Sequence, residues 1–224
     1  MKSLTLVRLL STVKYVGNHD FMDQIVHSFF GCIWVICKFM TKLSPKRVIL
    51  VTGPARSGKS EWAESLALQS GKSVIYIATA EKDPNDAEWM ARISQHAQRR
   101  PSVWETWEVP VNLAATIREA KSSNCLLVDS LGTWVANLLE YDQIQWQKIL
   151  KELLEIVENC DCDVIFVAEE TGWGVVPAYP AGRHFRDRLG SVVRELGAIA
   201  NPTYLVTAGH VLNLSQLGRP LDNK

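Results

Sequence analysis

Between a β-branched apolar run, RVILVTG (47–53), and a segment with apolar residues at helical spacing, SEWAESLALQ (60–69), stands the octapeptide GPARSGKS. A strand that must turn into a helix around two glycines and a Gly-Lys-Ser tail has few folds open to it. The glycines let backbone N–H groups close around an anion, and the start of the helix adds partial positive charge there. Lys59 is spaced to reach β and γ phosphates, and Ser60 to offer a hydroxyl to Mg²⁺. Gly53, Pro54, Ala55, Arg56, Ser57, Gly58, Lys59 and Ser60 are therefore read as a phosphate-binding loop. The competing explanation, a chance match in a Gly/Ser-rich turn, sits badly with the flanking strand and helix. The loop implies a purine nucleoside triphosphate with Mg²⁺.

The rest of the body alternates in the same way. Strands are expected at SVIYIAT (73–79), SVWETWEV (102–109, half-buried), NCLLVDSL (124–131, buried on both faces), DVIFVAEE (163–170) and TYLVTAG (203–209), the last closing the series. Helices are expected at AEWMARISQHAQ, VNLAATIREA, QIQWQKILKELLEIVEN and RHFRDRLGSVVRELGAIA. Asp83 to Asp86 supply the turn and N-cap of the first of these, whose inward stripe is Met90, Ile93 and Ala97, with His96 at its edge. Strands alternating with helices predict an α/β, P-loop NTPase-like fold. Its sheet is mainly parallel and flanked by helices, a single domain with ligands at the carboxyl ends of the strands.

Lys plus Arg equals Asp plus Glu, 24 each, so no basic excess points to nucleic acid as the main partner. The 5 cysteines are odd in number and lack C-x-x-C spacing, which supports neither a disulfide framework nor a zinc site. Cys160 and Cys162 read as small residues at a helix-to-strand turn. A reducing, cytoplasmic compartment is the simpler expectation.

Residues 1–46 differ in texture from the body, 47–224. Their apolar run FFGCIWVICKFM (29–40) is shorter than the roughly 20 residues of a membrane span and contains Lys38. It also lacks the flanks of a secretory signal. No membrane association is expected, and the natural start is expected at Met40 or Met22. A peripheral anchor or a family-specific appendage are the alternatives.

Three further features carry chemistry. Asp129, in CLLVDS, is a second Mg²⁺ anchor at the end of a strand neighbouring the loop, or else a helix N-cap. Arg183, His184, Arg186 and Arg188 follow the shaped segment EETGWGVVPAYPAG, where they either meet an anionic partner or form a solvated helix face. His96 in RISQHAQRRP matches no mechanism-bearing spacing by itself.

Taken together, ILVTGPARSGKS, YIATA, RISQHAQRRP, LLVDSLGTWVANLL and GWGVVP followed by RHFRDRLG resemble the bifunctional adenosylcobinamide kinase and adenosylcobinamide-phosphate guanylyltransferase family, over Val48 to about Leu214. The resemblance implies two steps, with GTP and ATP as substrates. An NTP γ-phosphoryl goes to the aminopropanol hydroxyl of adenosylcobinamide, and GTP then gives GMP to a histidine that passes it to the new phosphate. It puts that histidine at His96, with Lys59 as the other catalytic residue. Nucleotide contacts fall on the loop, on Thr79, Ala80 and Glu81, on Ala97, Gln98, Arg99 and Arg100, and on Glu108. Asp129 becomes the metal or nucleotide carboxylate. A homotrimer is also implied. The chain departs from the family pattern at Glu169, in place of Asn, and at Val193 and Arg194, in place of Asn-Gln. Other readings of the phosphate loop are a small-molecule kinase without nucleotidyl transfer and a non-catalytic nucleotide switch.

Overall fold

The computed structural model describes residues 46–221, apart from the side chains of Arg92 and His96. The expectations for the segment before Lys46, its apolar run and a start at Met22 or Met40 included, lie outside the described residues.

The strands are β1 (Val48–Gly53), β2 (Ser73–Ala78), β3 (Glu105–Glu108), β4 (Asn124–Asp129), β5 (Asp163–Glu169), β6 (Thr203–Thr207) and β7 (His210–Asn213). The helices are α1 (Lys59–Leu68), α2 (Ala87–Arg99), α3 (Leu113–Glu119), α4 (Leu131–Asn137), α5 (Gln143–Asn159), α6 (Pro180–Ile199) and α7 (Leu214–Leu217). One sheet has the order β3-β2-β4-β5-β1-β6-β7, parallel except for β7. The α/β expectation holds.

Alternation along the central strands explains the layers. Val48, Leu50, Ile75, Ile77, Leu126, Val128, Val164 and Phe166 face the side covered by α3, α4, α5 and α6. Their neighbours Ile49, Val51, Val74, Tyr76, Leu127, Ile165 and Val167 face α1, which offers Ala63, Leu66 and Ala67. Strands buried on both faces read as continuous apolar runs, as β1, β4 and β5 do. On the first side Trp134 packs against Trp146, ring centres 5.8 Å apart, and donates its indole N–H to the Val111 carbonyl at 2.9 Å.

Three expectations are corrected. SVWETWEV is not a half-buried strand throughout: β3 holds 4 residues at the sheet edge, after a turn closed by Trp104 N–H on the Pro101 carbonyl. An edge strand has a partner on one side only, and so pairs only where β2 extends. TYLVTAG does not close the series, because Ala208 and Gly209, both at positive φ (50° and 73°), turn the chain back into antiparallel β7. Two successive positive-φ residues suit the right-handed twist of a hairpin. Ala97 is exposed rather than inward, since α2 meets the body mainly through its C-terminal arginines.

At the amino-terminal edge of the sheet, away from the strand ends where ligands bind, Asp163 is 2% exposed. It accepts from the Arg47 backbone N–H at 3.0 Å and Nε at 3.0 Å, and from Lys72 Nζ at 2.8 Å. Burial alone would raise its carboxyl pKa, but the hydrogen bonds from Lys72 and from Arg47 outweigh it and hold the group below the ordinary carboxylate value. A carboxyl with a depressed folded pKa contributes stability that is present above its unfolded pKa and disappears as pH falls through the folded one. Asp163→Asn should therefore cost about 1.5–3 kcal/mol at neutral pH, the range for hydrogen bonds to charged groups. Urea unfolding of the two proteins should show that difference narrowing as pH drops below ~4. A gap independent of pH would mean that the charge of Asp163 contributes nothing.

Candidate active site

The loop Gly53–Ser60 joins the carboxyl end of β1 to α1, as the sequence requires. Gly53 has no room for a side chain: a Cβ would lie 2.2 Å from the Val206 carbonyl oxygen and 2.8 Å from Ser57 Oγ. Gly58 takes φ 91° at the N-cap of α1, a left-handed conformation suited to glycine, and Arg56 is also left-handed at φ 59°. Lys59 is buried and its Nζ reaches back to the Pro54 carbonyl at 3.4 Å. Ser57 Oγ is buried without a hydrogen-bond partner. A buried cation and an unpaired buried hydroxyl within one loop suit an anion that would take both.

β5, not β4, lies beside β1, so the strand that ends in Asp129 is one place removed from the loop. That corrects the expectation of a neighbouring strand. Asp129 nevertheless shares the carboxyl edge with the loop. Its Oδ2 accepts from Tyr76 Oη at 3.1 Å. Burial, and then the charge of Asp129, push the Tyr76 phenol pKa upward, so it stays protonated and donates. The N-cap of α4 is Ser130, in a reciprocal pair with Thr133, which leaves the Asp129 carboxylate to the edge of the sheet.

The C-terminal end of α2 is tied to α1. Arg99 bridges to Glu61 at 2.7 Å and Glu64 at 3.4 Å, and Arg100 lies over the Tyr76 ring, 3.7 Å from its centre. Burial raises the Glu64 carboxyl above its ordinary range although Arg99 pulls it down, and nearby Asp129 adds to the rise. His96 lies one helical turn before these arginines, and Ala97 and Gln98 are exposed on the same turn.

The remaining expected contacts divide. Thr79 is fully buried, its hydroxyl donating to the Ser130 carbonyl at 2.7 Å and its carbonyl accepting from Asn137 Nδ2 at 2.8 Å. Ala80 is partly exposed, while Glu81 is exposed and its carbonyl accepts from the Trp89 indole at 3.0 Å. Glu108, at the end of β3, is exposed and pairs with Lys82. Of the cations after the glycine loop, two have structural tasks. Arg183 donates to the Pro177 and Ala178 carbonyls, and Arg188 donates to those of Leu138, Leu139 and Tyr141, just past α4.

Sequence reasoning missed Glu61, Glu64, Tyr76 and Glu170 as the anchors of this edge. Glu170 Oε1 accepts from Thr52 Oγ1 at 2.7 Å, and its N–H donates to the Gly53 carbonyl at 3.0 Å. Glu169 Oε2 instead accepts from the Gly132 N–H at 3.0 Å, a contact that a Cβ at Gly132 would block, since it would lie 2.0 Å from that oxygen. The two glutamates in a row were the only signal.

Residues 49–214 match the family described as cobinamide kinase / cobinamide phosphate guanyltransferase. The bifunctional adenosylcobalamin biosynthesis protein CobP of Pseudomonas aeruginosa is 42% identical over 174 residues, 77% of this chain and 98% of its own. The corresponding CobU proteins of Escherichia coli and Salmonella typhimurium are 38% and 37% identical, each over 72% of this chain and 96% of theirs. Among solved structures, a protein of Pyrococcus horikoshii OT3 shares the fold at TM-score 0.50 and 8% identity, over 83% of this chain and 92% of that one.

The tightness around Gly53 is testable. Gly53→Ala should lower both thermal stability and triphosphate affinity, because the clash is with backbone at Val206 and not with a side chain that can swing away. Calorimetric titration with a nonhydrolysable triphosphate measures the second effect, and wild-type affinity in the variant would show that the loop has slack.

Proposed function

Because the chain belongs to the cobinamide kinase / cobinamide phosphate guanyltransferase family, which acts in cobalamin biosynthesis, we propose that one phosphate cradle serves both reactions and that His96 carries the guanylyl group between them. In the first step the γ-phosphoryl of an NTP passes to the aminopropanol hydroxyl of adenosylcobinamide. In the second, the His96 imidazole attacks the α-phosphorus of GTP and pyrophosphate leaves. The phosphate of adenosylcobinamide phosphate then attacks the same phosphorus, giving adenosylcobinamide-GDP and freeing the histidine. Neutral imidazole is abundant near pH 7 and needs no separate strong base for this attack.

The observation that carries the reading is the bridge from Arg99 to Glu61 and Glu64, because it ties the helix of His96 to the helix that the phosphate loop opens. Arg99 and Arg100 are assigned to the triphosphate, with Lys59 at its β and γ phosphates. The side-chain oxygens of Ser60 and Asp129 would hold Mg²⁺, a hard cation that takes few protein carboxylates and keeps waters and phosphates as its other ligands. When bound it neutralises charge on the phosphoryl oxygens. No helix among the described residues is long and apolar enough to cross a membrane. We take the enzyme to work in the cytoplasm as a homotrimer, on corrinoid and nucleotide and without nucleic acid. Its working body is residues 47–224, so a chain started at Met40 should keep both activities at full-length rates.

The deciding experiment is incubation with GTP labelled at the α-phosphorus. Wild-type protein should keep an acid-labile, alkali-stable label after denaturation. His96→Ala should lose the label and slow guanylyl transfer at least ~10³-fold, the scale of losing a nucleophile, while still phosphorylating adenosylcobinamide. Label retained in that variant would move the nucleophile elsewhere, with His184 the next histidine to change. Lys59→Ala should slow both steps by at least ~10²-fold, because the lost contact stabilises charge that grows in each transition state. Near-normal phosphorylation by Lys59→Ala would remove the loop from the kinase step.

A further inference from the structure

We propose that the cavity between the end of β5 and α6 receives the hydroxyl-bearing arm of the corrinoid during phosphoryl transfer, and that Glu170 is the base that takes the hydroxyl proton. This rests on the kinase reading above and names the acceptor side of the same site.

Position is the first argument. The cavity opens at the carboxyl end of β5, the strand directly beside β1, where open α/β sheets bind their ligands. Glu170 spans the base of the phosphate loop through two bonds, its N–H to the Gly53 carbonyl and its Oε1 from Thr52 Oγ1. Both partners flank the point where the loop begins. Its carboxylate is thereby held next to the phosphate cradle while it lines the cavity. Glu169, the other carboxylate of that lining, is engaged at the start of α4 by the Gly132 N–H. Glu170 is instead tied to β1, the strand that leads into the phosphate loop, and this position makes it the base.

Size and surface are the second argument. The cavity measures about 180 Å³. It suits a group as small as a short amide-linked alcohol and not a tetrapyrrole ring. The ring therefore stays outside. Immediately past Gly172, a lining residue, the loop presents Trp173, Val175 and Val176 at 66%, 94% and 58% exposure. Large exposed apolar side chains in one run mark a binding surface, and one that follows directly in the chain on a residue of the cavity wall suits the broad face of a corrin.

The step balances without a further reactant. As the alcohol oxygen bonds to the γ-phosphorus, the bond from that phosphorus to the β,γ-bridging oxygen breaks and the nucleoside diphosphate departs. The hydroxyl proton passes to Glu170. Protein kinases place a carboxylate in the same role.

Two variants test the proposal. Glu170→Gln keeps an oxygen to accept the Thr52 bond, so a loss cannot be assigned to that contact. Its kcat for phosphorylating cobinamide should fall about 10²–10³-fold, the scale of general base catalysis, with KM for the nucleotide little changed. The acid limb of the wild-type kcat profile should be missing from the variant. Gly190 lines the cavity and a Cβ there meets nothing within 4 Å, so Gly190→Phe adds bulk at the cavity wall without a clash at the Cβ. Its KM for cobinamide should rise about tenfold or more, as expected when a pocket is filled. A Gln variant with wild-type kcat and pH profile overturns Glu170 as the base, and a Phe variant with wild-type cobinamide KM overturns the cavity as acceptor site. Wild-type protein that phosphorylates no cobinamide would overturn the underlying kinase reading, and that failure is visible before any variant is made.

Discussion

Parallel pairing of β1 with β5, from Val48 opposite Val164 to Gly53 opposite Glu169, decides where the chemistry can sit. It brings the start of the phosphate loop and the Glu169–Glu170 pair to one level of one edge. The same pairing makes both strands central, buried on each face and without a solvated side on which to slip register. On the other flank of β1, β6 comes close enough that the Val206 carbonyl excludes any side chain at Gly53. The phosphate loop is thus confined by its neighbours on both sides, and its backbone is shaped before any phosphate arrives.

The two ends of the sheet carry charge for different purposes. At the amino-terminal edge Asp163 satisfies Arg47 and Lys72 in a closed set that has no further ligand to take. At the carboxyl edge Lys59 is buried against a carbonyl, Ser57 Oγ has no partner, and Glu64 is half-buried beside both Asp129 and Arg99. Incomplete satisfaction is expensive inside a protein. The unpaired Ser57 Oγ in the same loop as the buried Lys59 is the physical mark of a site built for an anionic ligand.

The elements were largely legible in the sequence because local periodicity dictates them. The helix over Gln143–Asn159 starts at its N-cap Asp142 and ends where its apolar spacing ends, and Asp86 caps the start of α2 as its position before the stripe implied. Edges were less legible. β3 is short because pairing on one side only supports it, and β7 exists because a two-residue turn made pairing with β6 possible. Among the cations, Arg188 read as either a ligand for an anion or part of a solvated helix face, and it instead serves three carbonyls just past α4, which no spacing within α6 could announce.

The sequence by itself determined the phosphate loop, since glycine, lysine and serine at those spacings between a strand and a helix are a local matter of backbone freedom and charge. It also determined the α/β class, through short continuous apolar runs of strand length alternating with runs of period 3.6. Tertiary structure alone decided which strand lies beside β1, and so which carboxylate bonds to the strand that leads into the loop. Asp129 was the sequence candidate, yet Glu170 is the one bonded to Thr52, 118 positions away. Arg99 likewise meets Glu61 across 38 positions. Strand order and such pairings come from how amphipathic layers bury one another, a property of the whole assembled sheet that no window of the chain contains.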